Sequence, residues 1–157
     1  MFTENFKIVP IAAPIDLNAT SPVACESINV SKYHKVTYVF LFGTLAGNSS
    51  VLTICSGATD AAATTGVYFN YAFGSAEQGT ANWDVLAAWT NAAALTITHT
   101  SYDNFMLVCE VDPAVMTSTH KWLTPIFTDP GGATGLVNAV AILRPRFGSN
   151  VAVTALS

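Results

Sequence analysis

Short segments in which apolar and less apolar residues alternate recur along this chain, and they limit the folds that it can adopt. In the clearest of them, Val67, Phe69, Tyr71 and Phe73 alternate with residues such as Asn70. An apolar period of two is typical of a strand with one buried face. Gly-rich and Pro-rich stretches, rather than long helical crossovers, separate these segments. We therefore predict an all-β fold, an antiparallel β-sandwich, with a jelly roll as the candidate topology.

Two predicted strands are apolar on both parities, that is, at both sets of alternate positions, which face opposite sides of a sheet. In residues 36–45, Phe40 and Phe42 lie on one parity and Leu41 lies on the other. Residues 136–143 read LVNAVAIL and are apolar almost throughout. Strands of this composition are typical of sheets that are covered on both faces. We expect both strands to be buried between two layers.

Turn residues predict two hairpins. Sequence rich in Gly, Asn and Ser separates residues 36–45 from a returning strand at residues 51–55. A second turn, at residues 101–104, joins a strand at residues 95–100 to a strand at residues 105–111. Both arrangements place turn formers between alternating apolar runs, which is the local signature of a hairpin.

Two further segments carry residues that restrict their structure. Pro125 lies inside the strand predicted at residues 120–128. Proline cannot donate to a sheet ladder, so we predict an edge or bulged strand there. Residues 82–94 are rich in alanine, but Trp83 and Trp89 would lie about 120° apart around a helix and so would not share one face. We predict a strand or an irregular segment for them.

The first 22 residues read as an extended arm, because Pro10, Pro14 and Pro22 each favour extended backbone in the residue before them. The predicted division is an arm at residues 1–22 and one sandwich domain at residues 23–157. The arm has two possible destinations. It lies on its own domain, or it adds to the sheet edge of a neighbouring subunit.

The balance of apolar and charged residues indicates contact with other protein chains. Hydrophobic residues make up 51% of the chain and charged residues only 10%, against about 25% charged in ordinary domains. Burial of part of the surface against other chains would explain the missing charge.

The longest apolar runs, residues 38–42 and 139–143, are far shorter than the roughly 20 residues of a spanning helix. The N-terminus also lacks the pattern of a secretion signal. We expect no membrane partner and synthesis in a cytoplasm.

The six Lys and Arg residues form no run, and the net charge is −4. Binding to nucleic acid requires clustered positive charge, so we expect no nucleic-acid partner. No motif of an activated nucleophile, a phosphate loop or a metal site occurs. Cys25, Cys55 and Cys109 are too far apart for a CxxC site, so we predict buried thiols. We predict a protein that is not an enzyme and has no catalytic residue, cofactor or metal.

Two blocks of the sequence resemble small virion proteins of tailed bacteriophages. They are residues 94–113 (ALTITHTSYDNFMLVCEVDP) and residues 135–148 (GLVNAVAILRPRFG), with further likeness at residues 7–14 and 55–69. The resemblance implies a head-decoration, or cement, protein on the outer capsid surface. It also implies the major capsid protein as partner, a homotrimer as assembly, and residence on the virion after synthesis in the host cytoplasm.

Eight residues are predicted to contact other chains, because they are apolar or cationic and lie in the arm, in apolar strands or near the final strand. They are Ile8, Val9, Ile11, Phe40, Phe42, Trp122, Arg144 and Arg146. Two alternatives stay open. One is another virion component, such as a tail, fibre or coat protein. The other is a carbohydrate-binding or adhesin sandwich that stacks sugars on Trp83, Trp89 and Trp122.

Overall fold

The computed structural model describes residues 1–18, 22–131, 134–148 and 154–156, and strands dominate them. The helical elements are α1 (Phe2–Asn5), α2 (His99–Tyr102) and one 3₁₀ turn (Pro113–Val115). The strands are β1 (Lys7–Asp16), β2 (Val23–Ala24), β3 (Ile28–Asn29), β4 (Tyr33–Leu45), β5 (Ser50–Gly57), β6 (Thr65–Gly66), β7 (Phe69–Phe73), β8 (Thr90–Ala92), β9 (Leu95–Ile97), β10 (Met106–Val111), β11 (Trp122–Phe127) and β12 (Gly135–Pro145). No described helix is long and apolar enough to cross a membrane.

The strands form two antiparallel sheets that pack against each other, so the predicted β-sandwich is confirmed. The first sheet has the order β1-β12-β4-β10-β7-β8. The second sheet has the order β2-β11-β5-β6, with β3 also paired to β11 and β9 also paired to β5.

Large side chains from the two sheets fill the space between them. Phe40 and Phe42 of β4 meet Phe127 of β11 edge to face, with ring centroids 5.4 and 6.3 Å apart. Aromatic rings favour this geometry because the positive edge of one ring meets the negative face of the other. Tyr38 and Cys109, which are register partners on β4 and β10, continue the same buried layer.

Both predicted hairpins are wrong. β4 lies in the first sheet and β5 lies in the second, so the turn between them carries the chain across the sandwich. In the same way β9 pairs with β5 in the second sheet, while β10 pairs with β4 and β7 in the first. The residues that favour a tight hairpin also favour a connection between sheets, and α2 lies in the second of these connections.

The prediction of an edge or bulged strand at Pro125 is also wrong, because β11 is central in its sheet. On one side, residues 122–127 pair with β5 throughout. On the other side, β3 pairs only with Trp122 and Leu123, and β2 pairs only with Ile126 and Phe127. Pro125 lies in the gap between β2 and β3, where its carbonyl accepts from the Cys25 amide at 2.9 Å. The missing N–H therefore interrupts no strand pairing.

The predicted arm is extended, but it forms part of the first sheet. β1 is an edge strand that pairs with β12 from Lys7↔Leu143 to Asp16↔Leu136, with two irregularities in register. At one of them the Ile11 carbonyl accepts a hydrogen bond of 2.8 Å from the Glu26 amide, next to the second sheet. The arm thus lies on its own domain and links the two layers along one side.

Candidate interaction surfaces

The outward side of the first sheet is apolar and only partly covered, which corrects the prediction that β4 and β12 are buried on both faces. Val39 of β4 is in register with Val140 of β12 and with Val108 of β10. The burial pattern of β12 alternates instead of remaining buried throughout. Leu41 and Leu136 are 42% and 41% exposed. We call this surface the outer face; its main residues are Ile8, Val39, Leu41, Met106, Leu136, Val140 and Ile142.

Polar groups on the outer face lie mostly to the side of this apolar centre. Thr37 and Asn70 are register partners of Glu110, and Glu110 forms an ion pair with Lys35. Asn138 lies beside Leu41. Water-facing sheets ordinarily alternate polar and apolar residues. An apolar centre with a polar rim is instead the composition of a protein interface.

One end of the sandwich gathers all six Lys and Arg residues, although they are dispersed in sequence. At this end β4 begins, β12 ends, β1 begins and β11 begins. Arg144 is in register with Lys35, and the Arg146 amide donates to the Lys32 carbonyl at 2.9 Å. We call this end the basic end; its cations are Lys7, Lys32, Lys35, Lys121, Arg144 and Arg146.

Hydrogen bonds hold the backbone of the basic end in place. The Lys121 carbonyl accepts from the Val30 amide at 2.7 Å, and the Lys121 amide donates to Gly57 at 2.9 Å. The Nε–H of Arg146 donates to the Tyr33 carbonyl at 3.3 Å. Cations on a fixed backbone lose less conformational freedom when they bind an anionic group, so this end is suited to bind carboxylates or phosphates.

Large apolar side chains are exposed beside these cations. Phe147 follows Arg146 directly and is 72% exposed. Val115, in the 3₁₀ turn near the end of β10, is also exposed, and so is Phe2, which stacks on Phe6. Arginine and aromatic residues are enriched in protein interfaces, so the basic end combines electrostatic and apolar features of a binding surface.

The acids are distributed unequally between the two ends. Five lie at the end opposite to the basic end, where they follow strand ends or belong to the long connection after β7. They are Asp16, Glu77, Asp84, Asp103 and Asp129. Four acids, Glu4, Asp60, Glu110 and Asp112, lie among the cations, and Glu26 lies between the ends.

A third exposed surface is the connection after β7, at residues 74–89. It consists of turns and bends and leads into β8, which confirms the prediction of a strand or an irregular segment. Trp83 and Trp89 are 36% and 47% exposed on it. Trp122, the remaining tryptophan, is half-buried on β11.

The only contact that resembles a nucleophile and base among the described side chains is between Ser56 and His120. The Ser56 Oγ lies 2.9 Å from the His120 Nδ1 and 3.2 Å from the Thr65 carbonyl oxygen. Ser56 has no exposed surface, so a substrate in solvent cannot reach its hydroxyl. The described residues also contain no group of three His, Cys, Asp or Glu side chains that could hold a metal ion.

The thiols of Cys25 and Cys109 are buried, as the sequence predicted, while Cys55 is half-buried. Burial raises the pKa of the Cys25 thiol to about 12, and burial also raises the pKa of the Cys109 thiol. The buried Tyr38 hydroxyl, with no hydrogen-bond partner in the described part of the chain, has a raised pKa, first through desolvation and then through these two thiols. Protonated thiols in such surroundings are unreactive.

Half of the eight predicted interface residues lie in the core. Val9, Ile11, Phe40 and Phe42 are buried between the two sheets, so their prediction as contact residues is wrong. Their inward parity is the physical reason, since residues of this parity face the second sheet.

The other four have exposed surface, and the structure adds residues that the sequence did not single out. Ile8 lies on the outer face, Arg144 and Arg146 lie at the basic end, and Trp122 is half-exposed on the second sheet. The additional residues are Leu41, Lys121, Leu136 and Phe147. For Leu41, the sequence offered one indication of a contact role, namely that the second set of alternate positions in β4 is also apolar.

No family model and no curated protein sequence matches this chain. Among solved structures, it is similar to the SPBc2 prophage-derived protein YomS, with a TM-score of 0.48 and 12% identity over 88% of this chain and 92% of that one. It is also similar to part of a structure of infectious bursal disease virus Gt strain, with a TM-score of 0.24 and 9% identity over 95% of this chain and 43% of that one. Both TM-scores are low, so neither likeness says what this chain does.

Proposed function

We propose that this chain is a structural virion protein, a head-decoration or cement protein that binds the outer surface of a bacteriophage capsid and stabilises the shell. The observation that carries the proposal is the apolar outer face. Its centre includes Val39, Leu41 and Val140, which the described residues cover only in part. The resemblance of residues 94–113 and 135–148 to phage virion proteins supplies the kind of assembly.

A decoration protein needs a rigid domain with a large surface for contact, and its role requires no reaction. The sandwich provides rigidity through its paired strands, and the outer face provides apolar area that is removed from water on binding. Each Å² of apolar area removed from water contributes roughly 25 cal/mol before the costs of association. A rigid domain with an apolar outer face is therefore suited to bind a protein surface that is already formed.

Shell stabilisation follows from mass action. A protein that binds only the assembled shell lowers the free energy of that shell relative to its free subunits. At a free concentration about 100 times the Kd, the gain is about 2.7 kcal/mol per site. The major capsid protein is the proposed partner, a homotrimer is the proposed assembly, and the capsid surface is the proposed location.

Cosedimentation with shells tests this proposal. Purified protein is mixed with undecorated capsids of the parent phage, and the bound copies per capsid are counted. Leu41→Gln removes apolar character from the outer face, whereas Val85→Gln makes the same change at an exposed position outside that face. We expect saturable binding that Leu41→Gln weakens and Val85→Gln does not. A wild-type protein that stays in the supernatant would contradict the proposal.

The copy number also separates this role from other virion components. A decoration protein occupies many equivalent positions on the shell, whereas a tail or fibre protein is present in few copies. A coat protein would form the shell itself, so shells without this chain would not assemble.

Carbohydrate binding is a second candidate function, and the exposed tryptophans favour it. Trp83 and Trp89 both lie on the connection after β7, with Asn91 donating to Asn70 at 2.9 Å on the adjoining strands. Exposed aromatic faces can stack on sugars, and amide groups can hydrogen-bond with them. A glycan array with wild-type protein and the Trp83→Ala and Trp89→Ala variants tests this function. Binding that both substitutions abolish would support it.

A further inference from the structure

We infer that the basic end is the docking surface for a carboxylate-rich protein surface, which under the proposed function belongs to the outside of the capsid. This inference deepens the proposed function and rests on it. Its basis is the separate observation that all six cations lie at one end of the sandwich while the opposite end has none.

The cations are positioned to meet a partner. Five of the six cations are exposed, namely Lys32, Lys35, Lys121, Arg144 and Arg146. Arg144 and Arg146 flank Pro145, whose ring fixes its φ and limits how far this stretch can move. Guanidinium groups on such a backbone can bind carboxylates through two parallel hydrogen bonds.

The apolar neighbours of these cations argue for a protein partner. Phe147, Val115 and Phe2 are all more than half exposed at the same end. A protein surface can bury such side chains while its carboxylates pair with the surrounding cations, which is the arrangement of energetically important interface residues.

Charge balance disfavours a nucleic acid. Glu4, Asp60, Glu110 and Asp112 lie among the cations, and Glu110 pairs with Lys35. The whole chain has a net charge of −4. A polyanion requires a surface of largely one sign, because affinity rises with the number of phosphates that cations neutralise. A protein surface can instead place its carboxylates opposite the cations and its other groups opposite these four acids.

Three of the five acids at the opposite end of a second copy are poor partners for this surface. Asp16, Asp103 and Asp129 are half-buried, and each accepts a hydrogen bond from a nearby backbone amide. Those carboxylates already stabilise local structure, so a head-to-tail contact would have to compete with these bonds. Glu77 and Asp84 are exposed at that end, but two carboxylates are few for six cations, so a different protein chain is the better occupant.

The test compares charge reversals at the two ends. Lys121→Glu/Arg144→Glu reverses two exposed cations and leaves the Arg146–Tyr33 hydrogen bond in place. Glu77→Lys/Asp84→Lys reverses two exposed acids near the opposite end and is the matched control. Thermal unfolding of both variants shows that they fold. Binding to undecorated capsids is then measured from about 0.05 M to about 0.5 M salt, a range over which exposed charges become strongly screened.

We expect the basic-end variant to bind capsids on the order of tenfold more weakly at low salt, with a smaller dependence on salt, and the control variant to bind no more weakly than the wild type. Equal binding by the wild type and the basic-end variant at every salt concentration would overturn this inference and leave the proposed function standing. A wild type that does not bind capsids would overturn the proposed function and, with it, this inference.

Two parallel measurements test other occupants. In the first, a fluorescent double-stranded DNA is titrated with the wild-type protein. In the second, the particle mass of the wild-type protein alone is followed as its concentration rises. Weak or absent DNA binding and no growth in particle mass are the expected results. DNA binding tighter than capsid binding would assign the basic end to a nucleic acid. Salt-sensitive self-association that Lys121→Glu/Arg144→Glu abolishes would assign it to a second copy.

Discussion

Val39 of β4 and Val140 of β12 are cross-strand partners on the outward side of the first sheet, away from the core. Branched apolar residues at the centre of a sheet are ordinarily covered by a second layer. Here the second sheet covers the opposite side, which contains Phe40 and Phe42. The sequence of β4 is therefore suited to two covered faces, while the described part of the chain fully covers only one.

Truncation of two adjacent residues on β4 should change stability by very different amounts. Phe40 is fully buried and Leu41 is 42% exposed. We expect Phe40→Ala to lower the free energy of unfolding by about 3–5 kcal/mol and Leu41→Ala to change it by less than about 1 kcal/mol. Urea unfolding of the isolated protein measures both. Similar large losses for both variants would mean that the outer face is covered within the chain itself.

Removal of the Tyr38 hydroxyl should not weaken the fold. This hydroxyl is buried and has no hydrogen-bond partner among the described residues. Burial of an unpaired hydroxyl costs about 1–3 kcal/mol, so Tyr38→Phe should leave stability unchanged or raise it. Urea unfolding of the two proteins measures the difference. A loss of stability in the variant would show that the hydroxyl has a partner.

Asp16 should make stability depend on pH in the acidic range. Hydrogen bonds from the Gly135 and Asn18 amides lower the pKa of its carboxyl below the ordinary value of 3.8. Its contribution is therefore complete above that ordinary value and is lost as pH falls through the lowered one. Unfolding of the wild type and Asp16→Asn, followed against pH, should show a difference near neutrality that shrinks in acid. A difference that stays constant with pH would contradict this account.

The three thiols should react at different rates. Cys55 is half-buried, whereas Cys25 and Cys109 are buried and burial raises the pKa of each thiol. We expect a thiol-specific dye to label Cys55 first in the folded protein, and all three after unfolding. Mass spectrometry of the labelled peptides identifies the order. Labelling of Cys109 before Cys55 would show that the core opens readily.

The strands of this fold could be predicted from the sequence, but the pairing between distant strands could not. The period-two pattern correctly predicted strands and the inward parity of Phe40 and Phe42, because side chains alternate between the faces of any strand. It did not predict that β5 lies in the other sheet, since a turn sequence does not specify which sheet the next strand joins. Nor could it predict the gap beside Pro125, which depends on two short strands distant in sequence.

The candidate surfaces show the same division. An apolar second parity in β4 was readable, but it was interpreted as burial, because composition does not distinguish a layer of the same chain from a partner chain. The six cations appeared dispersed because their clustering depends on register, such as Arg144 with Lys35. The expectation of no nucleic-acid partner rested on that dispersion, and it now rests on the mixed charge of the basic end instead.

The most direct measurement of the central claim is the temperature at which shells rupture. Under the proposed function, undecorated capsids of the phage that encodes this chain are heated alone, with saturating wild-type protein, and with the Leu41→Gln variant at the same concentration. If the chain is a cement protein, the wild type raises the rupture temperature and Leu41→Gln raises it less. The same rupture temperature with and without the wild-type protein would contradict the account.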